Sequence, residues 1–215
     1  ACFRMTKPQN LPSTTCRICG TPIQAFMTFG RMPIANGFLS PAQFAGEYFF
    51  ELAPALCPTC KMFQLVEQPA PGMMFHDNYA FVSGTSRGMT RHFAEFAAWV
   101  QKDLPKDAFV VEIGSNDGLF LKEARQAGFA PVLGIEPNRV ASGYARDLGL
   151  EIVNEMLDPS LAGKLASERG RVDVIVLRQV LEHLTRLPDF FRCVDKLLKP
   201  NGVLFVDVPD CERGF

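Results

Sequence analysis

Residues 109–118 read Phe-Val-Val-Glu-Ile-Gly-Ser-Asn-Asp-Gly, and the helical pattern Leu119 to Ala127 follows at once. An apolar run, a tight glycine turn and a helix in that order make a strand–turn–helix unit. Such a bend leaves backbone N–H groups and a helix N-terminus free to face a ligand. The spacing is E-x-G-x-x-x-G. A dinucleotide fingerprint needs a further glycine two residues after the first, where the pyrophosphate meets the backbone. Here that position is Asn116, and Asp117 beside it would repel a phosphate. Acidic residues on both sides of the bend suit a ligand with a cationic amine.

The rest of the chain can be read outward from that bend. After Pro105, strand candidates fall at Phe109–Ile113, Pro131–Ile135, Glu151–Asn154, Val172–Leu177 and Gly202–Val208. Helical stretches lie between them near Leu119–Ala127, Arg139–Leu148, Ser160–Glu168 and Leu187–Leu198. Alternation of this kind implies βαβ units and a parallel sheet, and the apolar strand cores imply helices on both faces. Before Pro105 the texture differs. Residues 1–13 lack periodicity and read as a flexible tail. Residues 14–75 are rich in Cys, Pro, Gly and Phe and read as a small β-rich metal module. Residues 76–105 form a connector and a helix, with Met89, Phe93, Phe96, Ala97 and Val100 on one face. Residues 106–215 form the sheet domain. A doubly wound sheet normally continues past a fifth strand, so the sequence is expected to be incomplete at its C-terminus.

Composition narrows the partners. Residues 1–105 hold 8 Lys/Arg against 6 Asp/Glu, and residues 106–215 hold 14 against 17. Neither half has the basic excess of a nucleic-acid binder. The longest uncharged run, Met32 to Gly46, is too short and too polar to span a membrane. No charged segment leads into an apolar stretch at the N-terminus, so a cytoplasmic location is expected.

Four of the seven cysteines form C-x2-C-x37-C-x2-C: Cys16, Cys19, Cys57 and Cys60. Each pair makes a knuckle presenting two thiolates, and two knuckles complete a closed tetrahedral site, the pattern of structural Zn²⁺. Redox C-x-x-C motifs open helices in βαβ units, which neither pair does. Cys193 lies in a helical pattern and reads as a core residue.

The chemistry-bearing residues of the sheet domain gather at strand ends, where open α/β sheets bind ligands. Glu136 ends the second strand, 24 residues after Glu112. It can accept both hydroxyls of a ribose, or sit as a carboxylate at the N-terminus of the next helix. Pro137 and Asn138 follow it. Asn154, in Asn154-Glu155-Met156-Leu157, can meet an adenine edge with Met156 or Leu157 on its face, or be plain loop. The fourth strand leads into Arg178-Gln179-Val180-Leu181-Glu182-His183. There Glu182 and His183 can act as acid/base, ligate a metal, line a wall, or serve as a helix-start carboxylate and a packed histidine. His92 can be exposed or line a pocket. A sulfonium nucleoside, S-adenosylmethionine, fits the bend better than a nicotinamide dinucleotide.

These motifs resemble class I S-adenosylmethionine-dependent methyltransferases: Glu112-x-Gly114-x-x-x-Gly118, Glu136, and Val180-Leu181-Glu182-His183. The N-terminal half is similar to the zinc-binding domain of sugar C-methyltransferases. The matching residues are Cys16-Arg-Ile-Cys19-Gly, Met32-Pro-Ile-Ala-Asn-Gly-Phe-Leu39, Cys57-Pro-Thr-Cys60, Tyr79-x-x-x-Ser83-Gly-Thr-Ser86 and His92-Phe93. The resemblance implies a Rossmann-like sheet of order 3-2-1-4-5-7-6. It implies cofactor contacts from the glycine turn (Glu112, Gly114, Ser115, Asn116, Asp117 and Gly118), from Glu136 and from the segment near Arg178; Pro137, Asn154 and Gln179 are expected beside them from their own positions at the strand ends. It also implies that Tyr79 and Ser86 close over the methionine end. The expected reaction is C-methylation of a small-molecule acceptor such as a nucleotide-linked deoxysugar, with its main base beyond residue 215. O-methylation with Glu182 and His183 at the acceptor hydroxyl, and a non-catalytic cofactor- or partner-binding module, are the alternatives.

Overall fold

The computed structural model describes residues 11–35, 38–69, 71–74 and 82–209. The chain divides into two compact units, residues 1–79 and 80–215.

The first unit is three short antiparallel hairpins. Strand β1 (Ser13–Thr15) pairs with β2 (Pro22–Gln24), β3 (Arg31–Pro33) with β4 (Phe49–Glu51), and β5 (Pro54–Leu56) with β6 (Phe63–Leu65). The first and third hairpins carry the cysteine pairs in their turns. The second accounts for the long spacing between the pairs, and its loop holds a 3₁₀ turn at Pro41–Gly46. Backbone hydrogen bonds stitch the hairpins together, Phe26 N–H to Pro54 C=O at 3.1 Å and Phe29 N–H to Leu52 C=O at 2.9 Å. Helix α1 (Pro71–Met74) is one turn long. The buried apolar cluster is small: Cys16, Ile23, Ala55 and Cys57, with Met62 and Val66 against it. A core of that size calls for a metal or another staple.

The second unit is a five-stranded, wholly parallel sheet. Its strands are β7 (Val110–Ile113), β8 (Val132–Ile135), β9 (Glu151–Val153), β10 (Val172–Arg178) and β11 (Leu198–Asp207), in the order β11-β10-β7-β8-β9. That is 3-2-1-4-5 counted along the sheet from β9, as expected. Helices α2 (Arg87–Gln101), α3 (Leu119–Ala127), α4 (Arg139–Asp147), α5 (Pro159–Arg169) and α6 (Leu187–Leu197) complete it. Alternate strand residues feed two cores. Val110, Val174 and Val176 pack with Phe93, Ala97, Phe120 and Ala124 from α2 and α3. Val111, Ile113, Ile175 and Leu177 pack with Leu161, Leu165, Phe190, Cys193 and Leu197 from α5 and α6. Cys193 is therefore a core residue. Helix starts follow their local chemistry. Asn138 caps α4 through Ala141 N–H at 2.9 Å, and Asp158 caps α5 through Leu161 N–H at 2.8 Å, with Pro159 in the first turn.

Strand β11 starts earlier than the apolar pattern predicts. Leu198 pairs with Val172, then the register breaks before Val203 pairs with Val174. Lys199-Pro200-Asn201-Gly202 carries polar and turn-forming residues, so periodicity hides the first contact.

Candidate functional site

The four cysteine Sγ atoms lie within 4.8 Å of one another. Cys16 Sγ is 3.5 Å from Cys60 Sγ, and Cys19 Sγ is 3.5 Å from Cys57 Sγ. Thiolates 2.3 Å from a tetrahedral zinc stand about 3.8 Å apart, so the cluster needs little movement to close on an ion. The two knuckles are built alike. Gly20 N–H bonds Cys16 C=O at 2.9 Å, and Lys61 N–H bonds Cys57 C=O at 3.1 Å. Gly20 and Lys61 both take the left-handed conformation, φ 72° and 63°. Only Gly20 does so without side-chain strain. The four thiols differ in their surroundings. Burial pushes the Cys16 thiol up, but N–H groups of Cys19 and Ile18 and the Cys60 and Gln64 side chains bring it to about 6. At Cys60 the Met62 N–H pulls down, yet burial and the three neighbouring sulfurs push it up to about 12. A divalent ion removes that conflict, and the residues fit structural zinc.

In the sheet unit the bend is locked from several sides. Gly114, Asn116 and Gly118 all have positive φ, 71°, 50° and 75°. A Cβ on Gly114 would stand 2.4 Å from Val180 Cγ2, and one on Gly118 2.5 Å from Leu150 Cδ1. Bare backbone at Gly114 is thus demanded by Val180 as well as by any ligand. Glu136 is buried and reaches back to the bend. Its Oε2 accepts Asn116 N–H at 2.8 Å and its Oε1 accepts Asn138 N–H at 2.8 Å. Burial raises its pKa, and the two N–H groups oppose the rise. The β7–α3 and β8–α4 turns are thereby tied together. Ser115 is buried, with Oγ lacking a hydrogen-bond partner.

Three expected cofactor residues already hold the protein to itself. Asp117 Oδ2 accepts Gly84 N–H at 2.6 Å, and its Oδ1 accepts Leu119 N–H at 3.4 Å. The 3₁₀ turn Ser83–Thr85 is thus fastened onto the bend. Ser86 Oγ accepts Met89 N–H at 3.3 Å as the cap of α2. Asn154 Nδ2 donates to Glu136 C=O, Pro137 C=O and Ser142 Oγ at 2.7, 3.0 and 3.0 Å, bracing the β8–α4 turn. Gln179 has φ 52°, and its N–H bonds Asp207 C=O at 2.8 Å. Pro137 is half-buried beside Glu136. Tyr79 lies outside the described residues.

At the end of β10, Arg178 Nη2 meets Glu112 Oε1 at 2.5 Å in a buried ion pair. The Arg178 guanidinium stands 3.6 Å above the Phe93 ring and 4.6 Å from that of Phe120. Glu112 Oε2 and Arg178 Nε and Nη1 have no hydrogen-bond partner. Burial drives the Glu112 carboxyl up to about 7 against the opposing pull of Arg178, with Asp117 and Glu136 adding to the rise. The aromatic cover was not foreseen: Phe93 sits on a helix remote in sequence, and its periodicity marked it only as core. Glu182 and His183 occupy a 3₁₀ turn, Leu181–His183, beyond β10, with His183 Nε2 3.9 Å from Glu182 Oε1. Glu182 Oε2 is buried without a hydrogen-bond partner. His92 is exposed against the Phe93 ring.

A parallel α/β sheet whose first bend, second strand end and fourth strand end converge is the framework of a class I S-adenosylmethionine-dependent methyltransferase. Comparison with known proteins agrees. A family described as "Methyltransferase domain" matches residues 81–213, and one described as "Putative zinc binding domain" matches residues 16–75. The chain belongs to the methyltransferase family, with the zinc-binding domain N-terminal to it. It is 30% identical over 202 residues to C-methyltransferase NovU of Streptomyces niveus, covering 92% of this chain and 48% of that protein. It is 33% identical over 102 residues to the ubiquinone biosynthesis O-methyltransferase of Caulobacter vibrioides, covering 45% and 39%. The chain thus spans about half or less of the length of these curated relatives. The fold is shared with the PH0226 protein of Pyrococcus horikoshii, at TM-score 0.50 and 20% identity over 61% of this chain and 59% of that one.

Proposed function

We propose that this chain is the zinc-binding and cofactor-binding part of an enzyme that methylates a carbon of a small molecule, a nucleotide-linked deoxysugar or a related metabolite. The observation that carries the reading is the breadth of one similarity: C-methyltransferase NovU matches across 92% of the chain, zinc module included, whereas the O-methyltransferase match covers 45%. O-methylation is the rival chemistry. No helix among the described residues is long and apolar enough to cross a membrane, and the balanced charge gives nucleic acid no footing; we place the protein in the cytoplasm. The division into a zinc module at 14–75, a connector and helix at 76–105 and a cofactor domain from 106 belongs to the same proposal.

When bound, S-adenosylmethionine supplies an electrophilic methyl group, and the protein's work is alignment and exclusion of water. Glu136 is the ribose acceptor, giving up one of its backbone N–H partners to do so. The bend Gly114–Gly118 offers backbone to the cofactor, and Ser115 Oγ, buried and unpartnered, is a free group at that bend. Glu112, held by Arg178, presents its second oxygen to an ammonium group. Pro137 and Gln179 shape the rims, and Tyr79 belongs to the segment that covers the methionine end. Asp117, Ser86 and Asn154 act by positioning: their hydrogen bonds hold the Ser83–Thr85 turn, α2 and the β8–α4 turn in place. Glu182 and His183 stand where an acceptor would approach, as acid/base groups. A carbon nucleophile needs a proton removed beside a carbonyl, and well-placed acid/base groups contribute ~10²–10⁴-fold.

The deciding experiment uses the full-length gene product with S-adenosylmethionine and nucleotide-linked keto-deoxysugars. A product one methylene heavier, its new methyl resistant to hydrolysis and attached to carbon by NMR, is expected. A methyl ether would favour the rival chemistry. Binding of S-adenosylhomocysteine with no turnover on any acceptor would leave a binding module.

A further inference from the structure

Gln64 lies on β6, the strand that leaves the second cysteine knuckle, and is a buried polar side chain of the zinc module, 3% exposed. Its Oε1 accepts two N–H groups from the residue directly after the ligand Cys16. The Arg17 backbone N–H and the guanidinium Nε–H each reach it at 3.2 Å. Arg17 is steadied in turn by Gln68, whose Oε1 accepts Nη1–H at 2.5 Å.

Amide oxygen and nitrogen are told apart by their partners. Two donors converging on one end leave a single assignment, since the reversed amide would set N–H against N–H. The Gln64 NH₂ group is therefore turned away from Arg17. It is buried and makes no hydrogen bond. Buried donors almost always find an acceptor, and each that does not calls for an explanation. The acceptor at hand is sulfur. Gln64 Oε1 is held on the backbone N–H of the residue that follows Cys16, and Gln64 pairs across the β5–β6 hairpin with Ala55, two residues before Cys57, so its amide stands at the cysteine cluster. A metal-bound thiolate is a stronger acceptor than the thiol of a metal-free site.

We propose that Gln64 is a positioning residue of the zinc site: its Nε2–H donates to Cys16 Sγ when the metal is bound, and Arg17 fixes the amide in the orientation that allows it. Outer-shell partners of this kind orient the ligand and tune the metal, and their loss typically costs 10–100-fold in metal affinity. The arrangement also supplies positive charge from Arg17 beside four thiolates whose sum exceeds that of one divalent ion.

The experiment uses the whole chain loaded with zinc, with metal content measured first, so that failure of the four-thiolate site itself is seen as failure to bind. Gln64→Glu keeps the Oε1 acceptor for Arg17 and removes the donor; Gln64→Met removes both. Zinc transfer to a chromogenic chelator is expected to quicken about 10–100-fold in both variants. The thiolate-to-metal charge-transfer band of the cobalt form is expected to shift. Wild-type transfer rate and band in Gln64→Glu would overturn the proposal. An independent reading needs no variant: in the cadmium-loaded, nitrogen-labelled protein a slowly exchanging Gln64 Nε2 proton should show scalar coupling to the metal. Fast exchange with no coupling would overturn it too.

Discussion

The zinc module and the sheet unit solve the problem of staying folded in opposite ways. In the module the buried apolar cluster comprises four residues, two of which are cysteines of the four-sulfur cluster. Its strands are three residues each, and Phe26, Phe29, Phe38, Phe44 and Phe63 are exposed. In the sheet unit two apolar clusters cover both faces of five strands. Such a sheet buries its backbone groups in ladders and its side chains in cores, and needs no ion. The lesson is that the polar groups of the module are spent on support, whereas the sheet unit spends some on support, as Asp117, Ser86 and Asn154 show, and holds others in reserve. Arg17 and Gln64 brace ligands, whereas Glu112, Ser115 and Glu182 retain buried oxygens without hydrogen-bond partners.

The strongest way to break this contrast is Cys57→Ser. Binding of structural zinc is folding free energy, of order 10 kcal/mol in small zinc modules. Metal analysis should show zinc lost and NMR should show the residues of the module collapsing to unfolded shifts, while the sheet unit keeps its amide protection. Full zinc occupancy, or joint unfolding of both units, would blur the contrast.

Glu112→Gln probes the sheet side. The folded carboxyl is raised to about 7 from 4.5, so the folded state binds the extra proton. That contribution is fully present below pH 4.5 and is lost as pH rises through about 7. Wild type should therefore lose stability relative to the variant across that window, by on the order of 3 kcal/mol for a fully buried group. Denaturant melts at several pH values would show it; parallel curves would mean that Arg178 holds Glu112 ionised throughout.

Gly114→Val comes next. The new side chain meets Val180 Cγ2 and a left-handed backbone at once. S-adenosylhomocysteine affinity should fall by about two orders of magnitude, the equivalent of ~2.8 kcal/mol. Unchanged affinity by calorimetry would remove the bend from the site. The smallest effect belongs to Ser86→Ala, which deletes the cap of α2 and should cost about 1 kcal/mol in the sheet unit alone. Zinc affinity should not move.

Much of this was legible because it is local. Apolar runs bounded by Gly and Pro marked the strands, 3.6-residue spacing marked the helices, and the paired cysteines marked the cluster of four sulfurs. What stayed hidden depends on residues far apart in sequence. Nothing in Phe93 or Phe120 announces that they will flank Arg178, and nothing in Gln64, a polar residue between Phe63 and Leu65, announces burial against Arg17. Ser86 and Asn154 are residue types that suit caps and turn braces as well as ligand contacts, and only the fold shows which hydrogen bonds they make. The early part of β11 was lost behind Lys199-Pro200-Asn201-Gly202, whose composition speaks of a turn.

The central claim is that a sulfonium nucleoside binds at the first bend of the sheet, with its ribose on Glu136. A crystal structure of the full-length protein soaked with S-adenosylhomocysteine tests it most directly. Density is expected to run from Gly114 to Glu136, the ribose hydroxyls on the Glu136 carboxylate in place of a backbone N–H. An empty bend at saturating ligand, or a dinucleotide there instead, would contradict it.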